Sequence, residues 1–198
     1  VNANSSIKTG RDLIAKLKEN PQSVSIGFAT TLGSHNHIAA GLLAKSVGVN
    51  ARNLKAIAFK GSAEAVTQLL GGHIDMVTTA AGNVAGHLAG GRLRVIGVSS
   101  DKRFPGAVAE VPTWKEQGAN LVYGGWRAIM APKGITPEQV AYWEGVLRKA
   151  TQTPEWKVGL EKNYWSDDFV TSAQFSKDIA KDYNDIKAVL VDIGLAKQ

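Results

Sequence analysis

Cysteine is absent from the 198 residues of the chain. That excludes disulfides, thiolate catalysis and thiolate metal sites. Long apolar runs are missing too, and nothing approaches the roughly 20 consecutive apolar residues that a membrane-spanning helix needs. The opening residues VNANSSIKTGRDL carry no apolar stretch of the kind found in a secretory leader. Direct insertion into a membrane is therefore not expected of this sequence. Lys and Arg outnumber Asp and Glu for a net charge of +6, yet they are scattered, as at Lys16, Lys18, Lys45, Lys149, Lys157, Lys177, Lys181 and Lys187. Without a basic run or interleaved aromatics there is no nucleic-acid signature. A solvated surface with mild attraction for small anions is the expected meaning. Internal repeats and low-complexity segments are also lacking.

What is present is a regular β–α rhythm. Thr9 is placed to cap a first helix, with Asp12 in its first turn and Leu13, Ile14 and Leu17 on its apolar face. Val24, Ile26 and Phe28 alternate with Ser25, Gly27 and Ala29, which predicts a half-buried strand. A loop of small residues, Thr30 to Ser34, leads into helical spacing of Ile38, Leu42, Leu43 and Val47, with Gly48 as the stop and Ser34 as the expected cap. Residues 54–59 read as a second strand, apolar enough to be covered on both faces. Lys60-Gly61-Ser62 turns into a helix bearing Ala65, Val66, Leu69 and Leu70. Ile74–Thr78 predicts a third strand, Asn83–Leu88 a short helix, and Leu93–Val98 a fourth strand. Such alternation with short connections predicts a parallel sheet flanked by helices.

The rhythm breaks at 101–120, a loop ending in a short helix before Gly118. Extended chain over 121–131 passes through Gly124-Gly125, read as a crossing point between lobes. Beyond it the pattern is helical. Thr136-Pro137-Glu138-Gln139 is a capping box with Pro at the first helical position, and Thr153-Pro154 begins another helix. Phe169-Val170 reads as a brief strand and Ser172 as the cap of a last helix closed by Gly194.

Chemistry-bearing residues are sparse. His35 and His37 stand two apart, which sends them to different helix faces and makes a poor metal pair. Ser34 and His37 are within reach of each other at a three-residue spacing, but no nearby carboxylate completes a triad. The loop 30–34 lacks the second glycine and the Lys-Ser/Thr pair of a phosphate-binding P-loop. Asp75 is expected to fix a strand start. What recurs is the strand–loop–helix junction, at Thr30–Ser34, Lys60–Ser62 and Thr78–Asn83. In an open parallel sheet such junctions gather beyond the carboxyl ends of the strands, where ligands bind. Helix N-termini there, with Lys60 beside them, suit a carboxylate. The same small hydroxyl and amide residues also serve ordinary β–α loops.

Five stretches in fixed order resemble one family. They are GSxxH at 33–37, FKGSAEAVTQLLGGHIDM at 59–76, AGHLAGGRLRVIGVSS at 85–100, EVPTWKEQG at 110–118 and WRAIMAPKGIT at 126–136. Together they resemble the solute-binding receptors of tripartite tricarboxylate transporters, the Bug-type family, over nearly the whole chain. The resemblance implies an α/β, two-lobed architecture of the type II periplasmic-binding-protein kind, with parallel-rich sheets flanked by helices. It implies a periplasmic receptor that closes on a small carboxylate and hands it to a membrane permease, with no catalysis, cofactor or metal. Matched singly, Thr30, Thr31, Gly33, Ser34 and His37 fall on the family's carboxylate junction. Lys60 and Gly61 fall on its aromatic-Lys-Gly turn, with Phe59 in place of the usual Tyr. Thr79 and Asn83 fall where the third junction approaches the ligand. Family chains carry roughly another hundred residues ahead of the position of Val1. Residues 6–124 are accordingly expected to be the second lobe, and 126–198 the C-terminal part of a first lobe whose first half lies outside this sequence. Two other readings stand beside this one: the ligand-sensing domain of a regulator with the same two-lobed fold, and a hydrolase built on Ser34 and His37.

Overall fold

The computed structural model describes residues 1–197, which divide into two compact units, 1–124 with 186–197 and 125–185. The first unit is built on a three-stranded parallel sheet in the order β2-β1-β3, with β1 at Ser25–Ala29, β2 at Lys55–Phe59 and β3 at Met76–Val77. Helices α1 (Gly10–Glu19), α2 (His35–Ser46), α3 (Ser62–Leu70) and α4 (Ala85–Ala89) surround it. The expectation of a parallel sheet flanked by helices is met.

Burial differs from the sequence pattern in an instructive way. Every residue of β1 is buried, including Ser25, Gly27 and Ala29, whereas β2 is partly exposed along its length. The alternation in β1 predicts the reverse. The cause is topological: β1 pairs on both sides and is covered on both faces, so its small residues mark close packing. A Cβ at Gly27 would lie 2.4 Å from the Ile74 side chain, so only glycine lets that chain approach the strand. Two apolar clusters result, one joining Leu13, Leu17, Ile26, Leu43 and Ala44, the other Val66, Leu69, Ile74, Val84 and Leu93. Asp75 does fix a strand start, since its carboxylate accepts from the Ser25 amide at 2.7 Å and from the Ser25 hydroxyl.

Other expectations are corrected. The third strand contracts to Met76–Val77, and the helix expected over 83–88 splits into a 3-10 turn at Ala81–Asn83 and α4. No fourth strand forms over 93–98. That segment makes single bridges, Asn2 to Leu93 and Val98 to Thr113, while Leu93, Ile96 and Val98 are still buried. Its apolar residues fill the core without a neighbouring strand to complete a ladder. The segment 101–118 is pinned rather than loose. Glu116 accepts from Arg103 and from the Thr113 amide, which hold its pKa down to about 2. Buried Gln117 accepts from the Gly10 amide at 2.7 Å and donates to the Ile96 carbonyl at 2.9 Å. Trp114 lies against Gly10 and Gly97, where any added Cβ would meet its ring within 3 Å.

The second unit carries α5 (Pro137–Thr151), α6 (Pro154–Asn163) and the larger part of α7 (Ser172–Asp192). Thr136 and Gln139 form the expected capping box, and Thr153 caps α6. Phe169-Val170 forms no strand, and Phe169 instead faces the Arg148 guanidinium at 4.9 Å. Ser172 is the first helical residue of α7 rather than its cap, and its amide donates to Glu144 at 2.7 Å. No residue of 125–185 is buried, although Trp126, Trp143, Trp156 and Trp165 all lie there. Among the described residues no helix is long and apolar enough to cross a membrane.

Trp114→Ala is expected to cost about 3–5 kcal/mol, as for other buried large-to-small changes. Urea denaturation of the chain reads this directly, and a loss below about 1 kcal/mol would contradict the packing role given to Trp114.

Candidate functional site at the carboxyl ends of the sheet

Strand order β2-β1-β3 places the point where the chain reverses direction across the sheet between β1 and β3. In open parallel sheets this is where loops diverge and leave a crevice beyond the strand ends. The three junctions anticipated from the sequence all lie at this edge of the first unit.

They are hydrogen-bonded to one another in a closed triangle. The Thr30 amide donates to the Phe59 carbonyl at 2.8 Å, joining the first junction to the second. The Thr78 hydroxyl donates to the Asn36 carbonyl at 3.0 Å, joining the third to the first. The Asn83 side-chain amide donates to Ser62 Oγ at 3.2 Å and to Thr79 Oγ1 at 2.9 Å, joining the third to the second. Thr79 and Asn83 therefore brace the loops, and Thr78 and Ser62, which mark junction ends in the sequence but carry no site role there, are their partners in this. Their signal was position alone: a hydroxyl directly after a strand or at the first turn of a helix.

Within the first junction the geometry is specific. Thr30 has φ of 76°, a left-handed conformation that is an outlier for a β-branched residue. Strain of this kind persists where surrounding bonds over-determine it. The Ser34 amide closes a turn onto the Thr31 carbonyl at 3.1 Å. Ser34 does not cap α2, contrary to expectation. Its hydroxyl turns back to donate to the Ala29 carbonyl at 3.1 Å, and no side chain caps the first turn of the helix. The Gly33 amide, at a φ of 80°, donates to His37 Nδ1 at 2.9 Å. His37 is 5% exposed, its ring stacked on Phe28 with centroids 4.7 Å apart, and burial lowers its pKa from the ordinary 6.5. Ser34 and His37 thus each bond elsewhere, and the contact that their spacing allows does not form. His35 stacks on Tyr123 at 4.5 Å, so the loop before Gly124 walls one side of the α2 N-terminus.

The second junction is less open to an anion. Gly61 begins α3 without a side-chain cap, and an added Cβ there would meet nothing within 4 Å. But the Glu64 carboxylate already accepts from the Lys60 amide at 2.9 Å and places negative charge on that first turn. By contrast Thr9, Thr136 and Thr153 cap α1, α5 and α6. The N-terminus of α2 is thus the better anion acceptor of the two at the sheet edge, with Lys60 exposed at the neighbouring junction. Charge follows the same division: residues 1–124 and 186–198 hold fifteen Lys and Arg against eight acids, and residues 125–185 hold eight against nine. No group of three or more His, Asp or Glu residues able to hold a metal occurs among the described residues.

Comparison with known proteins identifies the family. The profile of the tripartite tricarboxylate transporter family receptor matches residues 1–195. The chain belongs to that family. Members are solute-binding receptors of the periplasm rather than enzymes, so the resemblance read from the five stretches is borne out. A UPF0065 protein of Cupriavidus necator, from the gbd 5′ region, is 32% identical over 100% of this chain and 58% of its own length. A TctC solute-binding protein from Polaromonas, solved without ligand, superposes with a TM-score of 0.79 at 26% identity, covering 96% of this chain and 64% of the other. An R. palustris protein solved with adipate superposes with a TM-score of 0.80 at 21% identity, over 99% of this chain and 64% of the other, which shows the shared fold. This family member therefore spans about three-fifths of the length of the relatives it matches.

Thr78→Val keeps the side-chain volume and removes the hydroxyl that ties the third junction to α2. It is expected to cost about 1 kcal/mol in urea denaturation, the net worth of one hydrogen bond. An unchanged midpoint would remove that tie from the account.

Proposed function

We propose that the chain carries the carboxylate-binding junction of a periplasmic receptor that delivers a small organic acid to the permease of a tripartite transporter. The observation that carries the proposal is the uncapped N-terminus of α2 at the switch point of the sheet, with the Ser34 hydroxyl turned away from the helix. In this reading one carboxylate group sits on the loop of Thr30, Thr31, Gly33 and Ser34 and on the first turn of α2. Lys60 supplies net charge at the second junction, and Gly61 leaves room beside it. Thr79 and Asn83 form the rim, and His37 stands behind the loop. The adipate-bound structure of a protein with the same fold supports a carboxylate as the ligand class.

Magnitudes indicate that this junction does not act alone. Micromolar binding needs about 8 kcal/mol. A helix terminus contributes up to ~2 kcal/mol, and charge-assisted hydrogen bonds about 1.5–3 each, against the entropy of capture. A small organic acid adds little apolar area. The remainder must come from an opposing surface and from water excluded on closure. In this reading the two-lobed receptor supplies it: residues 6–124 belong to one lobe, which the end of α7 joins, and residues 125–185 contribute to the other. On the same reading residues 125–185, with no buried residue and four tryptophans, would complete their core against receptor segments of the kind the longer relatives carry.

The hydrolase reading loses its geometric basis, because Ser34 and His37 are not hydrogen-bonded to each other. Calorimetric titration of mono-, di- and tricarboxylates, adipate among them, into a receptor of the relatives' full length containing this sequence tests the proposal. Binding without turnover is expected, and Ser34→Asp, which sets a carboxylate on the α2 terminus, is expected to abolish it. Undiminished affinity in Ser34→Asp would remove this junction from the site, and repeated turnover of an ester would replace the receptor by an enzyme.

A further inference from the structure

We infer that His37 is a positioning residue rather than a ligand contact: its neutral imidazole holds the Gly33 amide, and a proton on the ring releases loop 30–34 and weakens carboxylate capture. The inference rests on the proposed site and adds a regulation to it.

Donor and acceptor roles fix the protonation state of the ring. A backbone amide can only donate, so His37 Nδ1 must be unprotonated to receive the Gly33 N–H at 2.9 Å. Protonation makes Nδ1 a donor facing a donor. The ring has little freedom to turn away, being 5% exposed and stacked on Phe28. Gly33 sits in a left-handed conformation inside the Thr31–Ser34 turn just ahead of α2, so losing its amide bond frees the stretch that presents the first-turn N–H groups.

Neighbouring charges do not offset this. β1 carries no ionisable residue. On α2 itself His35 stacks on Tyr123, and Lys45 pairs with Asp192 at the end of α7. The turn at Ala51–Asn53 contributes Arg52, which donates to the Val191 and Asp192 carbonyls. Burial is the cause of the His37 shift. The sign follows: with the folded value below the ordinary 6.5, the stability from neutral His37 is fully present above that value. It is lost as pH falls through the folded value, because the unfolded or opened chain takes the proton first.

The two possible roles for His37 have opposite signatures. A histidine touching the carboxylate would gain affinity on protonation through charge attraction. A histidine that positions Gly33 loses it. Adipate's carboxyl groups stay mostly ionised down to about pH 6, so the ligand's own titration does not dominate from pH 8 down to 6.

The test follows the Gly33 amide by NMR hydrogen-exchange protection in the chain from pH 8 to pH 5.5, alongside adipate affinity in the full-length receptor. Protection is expected to fall in step with His37 protonation, and affinity to be about halved at the pH where His37 is half protonated. His37→Asn, which keeps an acceptor near the Nδ1 position and does not titrate, is expected to flatten both profiles, whereas His37→Ala loses Gly33 protection at every pH. Gly33 protection that persists through His37 protonation, or affinity that rises on acidification, overturns the inference. If adipate and other carboxylates bind at no pH, the receptor site itself fails, and the Gly33 protection profile still decides the role of His37.

Discussion

Parallel pairing of Ser25–Ala29 with β2 on one side and β3 on the other is the constraint on which the rest of the first unit depends. As a strand of a parallel sheet with helices on both faces, β1 is buried throughout, small at Gly27 where Ile74 approaches and large at Ile26, which packs with Leu13, Leu17 and Leu43. Its carboxyl end is flanked by the ends of both neighbours. The loops leaving those ends have no choice but to meet, and their polar groups must satisfy one another or face a ligand. Thr30 to Phe59, Thr78 to Asn36 and Asn83 to Ser62 are the satisfied part. The first turn of α2, which no side chain caps, is the part that the proposed function gives to a ligand.

That division explains why capping hydroxyls matter more by their absence than by their presence. Three helices outside the junctions are closed by threonine hydroxyls. The helix at the switch point has a serine in the capping position that spends its single donor on the preceding strand. A capped terminus would be more stable and a worse receptor. The left-handed Thr30 fits the same logic, because local stability is given up where the backbone must present its amides in one arrangement. The excess positive charge of this unit adds a field that draws anions toward it without specifying which.

The sequence made some of this legible and hid the rest for identifiable reasons. Helix starts with capping boxes, such as Thr9 with Asp12 and Thr136 with Gln139, were readable because their chemistry is local. The three junctions were readable because a strand-to-helix change of period leaves a mark. The burial of β1 was not, since alternation of small and large residues describes a half-exposed strand equally well. The fate of 93–98 was not, because an apolar run becomes a strand only if a neighbour pairs with it. The direction of the Ser34 hydroxyl and the burial of His37 depend on contacts with Ala29, Gly33 and Phe28 that spacing cannot rank. Tyr123, far along the chain, came to the α2 terminus without any local signal.

The central claim is that the N-terminal turn of α2 is where a carboxylate docks. Amide chemical-shift mapping on the full-length receptor during addition of adipate tests it most directly. The account predicts the largest changes at the amides of residues 31–37, with smaller ones at 60–62 and 79–83. Changes centred elsewhere, with residues 31–37 unmoved at saturation, would contradict it.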